Sequence, residues 1–136
     1  MFWFLIILLI LIIRHRFFWI GRNVHECDKG EKVLFAHRGI TNNYPENTIK
    51  AFLDAVKNGY SAIEVDLVRT KDNELVCSHN FDLETETSGV GDFKNYKLKD
   101  LGSLKTGVNT HQENQQAIST FKNLLGKIPD EVYLNI

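Results

Sequence analysis

The stretch Ala62-Ile63-Glu64-Val65-Asp66-Leu67-Val68 decides how this chain is read. Side chains alternate across a strand, so Ile63, Val65 and Leu67 take one face and Glu64 and Asp66 share the other. Strands of a parallel α/β sheet are usually covered on both faces and read as continuously apolar. Two carboxylates side by side on a covered face would repel one another and lose their hydration, at a cost of several kcal/mol. Two readings follow. Either a hard divalent cation, Mg²⁺ or Ca²⁺, takes up the carboxylate oxygens, or the strand lies at an edge and the pair is solvated.

Upstream, Val33-Leu34-Phe35-Ala36 is a short apolar run suited to a buried strand, and His37-Arg38-Gly39 follows it directly. Residues 41–45 are rich in turn formers, and Asn47 is placed to cap a helix from about Thr48. Ile49, Phe52, Leu53 and Val56 recur at helical spacing, and Gly59 stands where a helix ends. Downstream, Lys71-Asp72-Asn73 reads as a turn and Leu75-Val76-Cys77-Ser78 as a strand that ends at His79. A short helix is expected over 98–104, another over 117–125, and a strand over 131–136. Strand and helix in this alternation predict an α/β fold with parallel strands. His37 and His79 then sit at strand carboxyl ends, where ligands bind in such folds. Histidine is the acid or base suited to neutral pH. Taken singly, each is more often a packed or surface histidine. Two histidines and two carboxylates at one mouth favour a site. Arg38 adds a fork of donors suited to phosphate. His15, His25 and His111 have no such setting.

The chain has 136 residues, 43% of them hydrophobic and 24% charged, which suits one modest globular domain. A formal net charge of −1 gives no reason to expect a nucleic-acid partner. Residues 1–13 are apolar without exception, then Arg14-His15-Arg16 interrupts before Phe17-Phe18-Trp19-Ile20. A spanning helix needs about 20 apolar residues. The segment admits three readings: an anchor helix with snorkelling arginines, a signal peptide, or a buried helix. It lacks the basic start and small-residue cleavage site of a signal peptide, and a helix apolar all round needs a large core. We therefore expect a membrane anchor over 1–20, a polar linker over 21–32 and a domain over 33–136. With the arginines on the carboxyl side of the span, the positive-inside rule places the domain in the cytoplasm. Cys27 and Cys77 form no C-x-x-C pair and read as free thiols.

His37-Arg38-Gly39, then Pro45-Glu46-Asn47-Thr48, Ala51-Phe52, Ala55 and Gly59 together resemble the opening of the glycerophosphodiester phosphodiesterase family. Glu64-x-Asp66, Thr70-Lys71-Asp72, Val76, His79, Leu83, Thr87 and Gly89 continue the resemblance in order. It covers roughly residues 33–136. It implies a TIM (β/α)₈ barrel, of which this chain carries about the first three strands, preceded by the apolar helix. It implies hydrolysis of glycerophosphodiesters to glycerol 3-phosphate and an alcohol, with lysophospholipids as substrates of some relatives. By resemblance, His37 and His79 are the acid–base pair, Glu64 and Asp66 hold a divalent metal, and Arg38 binds the phosphate. The sequence departs from the family pattern at Asn80, where aspartate is usual, and at Thr85, where arginine is frequent. Ile118-Ser119-Thr120-Phe121 stands where the family tends to Ile-Pro-Thr-Leu. The resemblance also places a third metal-binding glutamate just past Ile136, so the chain is expected to be an amino-terminal fragment, inactive alone. A non-catalytic membrane-anchored module remains the alternative reading.

Overall fold

The computed structural model describes residues 2–17 and 32–136, which form two compact units, Met1–Lys32 and Val33–Ile136. In the first unit a helix, α1 (Phe2–Phe17), takes in the apolar run and carries Arg14, His15 and Arg16 in its last described turn. Leucine and isoleucine carry it, and the basic residues suit the negative end of its dipole. It has 16 residues. At about 1.5 Å per residue that is roughly 24 Å, against a hydrocarbon core of about 30 Å. Among the described residues no helix is long and apolar enough to cross a membrane. This overturns the expected membrane span, and with it the membrane location and the cytoplasmic placement of the domain. Arg14, His15 and Arg16 interrupt the apolar run inside the helix. The remainder of the expected anchor (18–20) and most of the expected linker, with Cys27, lie outside the described residues.

In the second unit, β1 (Phe35–His37) leads through a loop to α2 (Ile49–Lys57), and β2 (Ala62–Glu64) follows. Then come β3 (Leu67–Arg69), β4 (Leu75–Cys77), two short 3₁₀ turns (Phe93–Asn95 and Leu98–Leu101), β5 (Lys105–Thr106), β6 (Gln116–Ala117), α3 (Phe121–Leu125) and β7 (Tyr133–Asn135). A parallel sheet runs β1-β2-β7, whereas β3-β4 and β5-β6 are antiparallel pairs. This is a mixed α/β fold.

The α2 helix forms for the reason its spacing gives, but its start differs from expectation. Thr48, not Asn47, is the N-cap: its Oγ1 accepts from the Ala51 amide at 3.3 Å. Asn47 has φ +56°, and its side chain is used elsewhere. Gly59, at φ +86°, ends the helix as expected. Phe52 and Ala55 are buried against Ala36 and Ile63 of the sheet, with Leu124 and Ile128 beside them, and Ala51 is buried under the Gly39 turn. Burying a side chain such as Phe52 contributes about 1.5–3 kcal/mol. A second core gathers Val68, Val76, Leu83, Phe93 and Leu101 under the 79–101 excursion.

Three further expectations are corrected. The strand over 62–68 is two strands that part at Val65 and Asp66, because β2 pairs in the parallel sheet and β3 turns away to pair with β4. The strand before His79 is therefore one arm of a hairpin and not a parallel strand. The helix over 117–125 starts only at Phe121, since Thr120 caps it through Oγ1 to the Asn123 amide and Ala117 belongs to β6.

Candidate active site

In a parallel sheet, residues in register lie on the same face. His37 is in register with Glu64, and Glu64 with Asn135, so the last residues of β1, β2 and β7 form one row at the carboxyl edge. Phe35, Ala62 and Tyr133 form the row before it on the same face. The opposite face holds Ala36, Ile63 and Leu134 and packs on the helices.

After His37 the chain turns sharply through Arg38 (φ +57°) and Gly39 (φ +89°). A Cβ on Gly39 would meet the Ala51 carbonyl carbon at 2.6 Å, so only glycine lets this turn rest on α2. The turn aims the Arg38 amide at Glu64 Oε2, 3.2 Å away. The Arg38 guanidinium donates from Nη1 to both oxygens of Glu46, at 3.0 and 3.1 Å. Its Nε lies 2.9 Å from Asp66 Oδ2 but not at a hydrogen-bonding angle, and this nitrogen is buried. Neither contact uses Nη2. Asp66 is held a second way: the Asn47 side chain donates to Oδ2 at 3.0 Å and accepts from the Asp66 amide at 3.1 Å. The Asp66 carbonyl in turn accepts from the Ser78 amide at 3.1 Å, which ties the His79 segment to the same place.

His79 is exposed and lines a small recess together with Glu46, Asn47, Ser78, Glu86 and Thr87. His37 does not line that recess. It is exposed at its strand end beside Glu64. Burial in the recess, reinforced by the charge of Glu46, pushes the Glu86 carboxyl above its ordinary range, with Arg38, His111 and His79 pulling the other way. Cys77, beneath the recess, is a free buried thiol whose burial pushes it up to about 12, so it is no nucleophile near neutral pH.

Of the residues singled out in the sequence, Arg38, Glu64 and Asp66 are joined directly, and His79 is reached through Ser78 and Glu46. Among the described residues no three His, Cys, Asp or Glu side chains converge as a ready metal site. Glu64 and Asp66 still match a hard cation in kind, since both offer carboxylate oxygen and Mg²⁺ commonly takes one or two carboxylates with water and substrate oxygens. Glu46, Asn47 and Glu86 were missed as site residues. For the first two a signal existed in the Pro45-Glu46-Asn47-Thr48 block, where Asn47 reads equally well as a helix cap. Glu86 stands in a polar stretch with no periodicity to place it.

Comparison with known proteins bears on the family and the fold. The model of the glycerophosphoryl diester phosphodiesterase family matches residues 37–136. A glycerophosphodiester phosphodiesterase of Caldanaerobacter subterraneus is 40% identical over 76 residues, covering 56% of this chain and 31% of the relative. One from Bacillus altitudinis is 43% identical over 68 residues, covering 50% of this chain and 28% of the relative. This chain thus spans about a third of the length of the curated relatives it matches. Among solved structures, a phosphodiesterase of Oleispira antarctica in complex with the product sn-glycerol-3-phosphate superposes with TM-score 0.69 at 30% identity, over 76% of this chain and 43% of that one. The glycerophosphoryl diester phosphodiesterase domain of a Mycobacterium tuberculosis protein gives 0.71 at 26% identity, over 76% and 42%.

Proposed function

The chain belongs to the glycerophosphoryl diester phosphodiesterase family, and on that premise we propose that it carries the catalytic face of an enzyme hydrolysing glycerophosphodiesters to glycerol 3-phosphate and an alcohol. The fold it contributes is the opening part of a (β/α)₈ barrel. The observation that carries the reading is the row His37–Glu64 at the strand carboxyl edge, with Arg38 bonded to Glu64 through its amide and lying against Asp66.

The chemistry follows from the substrate. A phosphodiester is anionic and repels nucleophiles, so its charge must be offset before an oxygen can attack. Arg38 presents Nη2 for this, while Glu46 fixes the plane of its guanidinium. Glu64 and Asp66 would hold a divalent cation, Mg²⁺ or Ca²⁺, which supplies further positive charge at the phosphoryl oxygens. Of His37 and His79, one takes the proton from the attacking oxygen and the other gives a proton to the leaving alkoxide. The sn-glycerol-3-phosphate product named for the Oleispira structure supports glycerol 3-phosphate as the product held here.

The test uses the full-length chain as its gene encodes it, with Mg²⁺ or Ca²⁺, and follows glycerol 3-phosphate release from glycerophosphocholine. His37→Ala and His79→Ala are each expected to lower kcat by about 10²–10⁴-fold, the usual loss for a missing acid or base. Retention of more than a tenth of the activity in either variant removes that histidine from the mechanism. Turnover of lysophosphatidylcholine in preference to glycerophosphocholine would reassign the substrate.

A further inference from the structure

Asn47 is buried, its backbone sits at φ +56°, and it makes three hydrogen bonds to two other segments. Its amide donates to the Arg38 carbonyl at 3.0 Å. Its side-chain oxygen accepts from the Asp66 amide at 3.1 Å, and its side-chain nitrogen donates to Asp66 Oδ2 at 3.0 Å. Left-handed backbone is uncommon for any residue but glycine, though asparagine tolerates it better than most. The conformation is held because the surroundings fix it, and such residues cluster where geometry serves function. The two side-chain bonds span one residue's amide and carboxylate, so they fix both the position of Asp66 and the rotation of its carboxyl group. Glu46, the residue before, holds Arg38 in the same manner. Without these neighbours, Asp66 and Arg38 would be free to close into a simple two-oxygen ion pair, with neither presented to a ligand.

We propose that Asn47 is a positioning residue for Asp66: it holds one carboxylate oxygen and thereby turns the other toward the cation, with Glu46 doing the corresponding work on Arg38. The inference rests on the proposed metal-dependent reading of the site. Partners that orient metal ligands from behind typically contribute 10–100-fold in metal affinity.

Asn47→Gly is the informative variant, because glycine accepts the left-handed backbone and only the side-chain clamp is lost. In the full chain, Mg²⁺ and Ca²⁺ binding is measured by titration calorimetry without substrate, alongside thermal unfolding in EDTA. Asn42→Gly, an exposed asparagine of the same loop, is the control. The expected result is a Kd at least tenfold weaker for Asn47→Gly, with wild-type affinity for Asn42→Gly. In EDTA the Asn47→Gly midpoint falls, since two side-chain hydrogen bonds are lost, while unfolding stays cooperative and the Asn42→Gly midpoint stays near that of the wild type. Unchanged affinity in Asn47→Gly, with the wild type binding, overturns the positioning role alone. A wild type that binds neither ion overturns the metal reading and the role together. Should Asn47→Gly fail to fold, the wild-type NMR spectrum decides. The Asn47 side-chain NH₂ resonances are expected to shift on Mg²⁺ addition, and fixed resonances overturn the proposal.

Discussion

Glu86 brings its carboxylate into the His79 recess with no ion pair among the described residues, whereas Glu46 beside it is paired with Arg38. Burial first, and then the charge of Glu46, raise its pKa. An acid whose folded-state pKa lies above its unfolded value destabilises the fold once it ionises. Its contribution is therefore most favourable below the unfolded pKa and is lost as pH rises through the folded one. Glu86→Gln is expected to raise the unfolding midpoint at pH 7 and to leave it unchanged below about pH 4, where glutamate is protonated in either state. Equal shifts at both pH values, read by circular dichroism, would show that ionisation of Glu86 is not the cause. This residue also marks a limit of the sequence as a source. Glu64 and Asp66 announce themselves because carboxylates are out of place on a strand. Glu86 lies in an irregular polar stretch, where a carboxylate is ordinary and only the folded loop reveals what it faces.

The turn 45–48 shows how one short element divides its work. Pro45 receives the Thr48 hydroxyl on its carbonyl at 2.7 Å, Glu46 and Asn47 reach outward to Arg38 and Asp66, and Thr48 caps α2. Helix periodicity located α2, and Gly59 located its end, because both signals are local. The exchange of roles between Asn47 and Thr48 was not legible, since either side chain caps a helix well and the choice depends on Asp66, distant in sequence. The same holds for the strand over 62–68. Its alternation is continuous, and the parting after Glu64 is set by β7 and β4, whose pairing no local pattern encodes. Thr48→Ala removes the cap and the bond to Pro45, and we expect a loss of about 1 kcal/mol. Thr48→Ser keeps both roles of the hydroxyl and should be close to neutral. Denaturant titration distinguishes them, and equal losses for Ala and Ser would point to packing of the Thr48 methyl group instead of the cap.

At the scale of the whole molecule, the parallel sheet of the second unit has β2 at its centre and β1 and β7 on its flanks. Each flanking strand is paired on one side among the described residues. On the face that carries the site, the flanking strands are poorly covered, with Phe35 45% and Tyr133 38% exposed, while Ala62 between them is buried. Leu34 and Ile136, just outside the strands, are 72% and 67% exposed. In the solved relatives this chain matches under half of the length, 42% and 43% in the two compared above. An edge strand with apolar side chains invites pairing with another chain, and charge on the edge is the usual protection. Neither Phe35-Ala36-His37 nor Tyr133-Leu134-Asn135 carries a lysine, a proline or an acid. Expressed as these 136 residues, the protein is expected to self-associate at concentrations on the order of 100 µM. Phe35→Lys places a charge on that face at the β1 edge and is expected to shift the population toward monomer, because its register partner Ala62 offers it no salt bridge. Sedimentation velocity across a concentration series reads both effects. A monomeric wild type over the whole range would mean that the exposed rows are covered, and Phe35→Lys would then lower stability without changing the sedimentation coefficient.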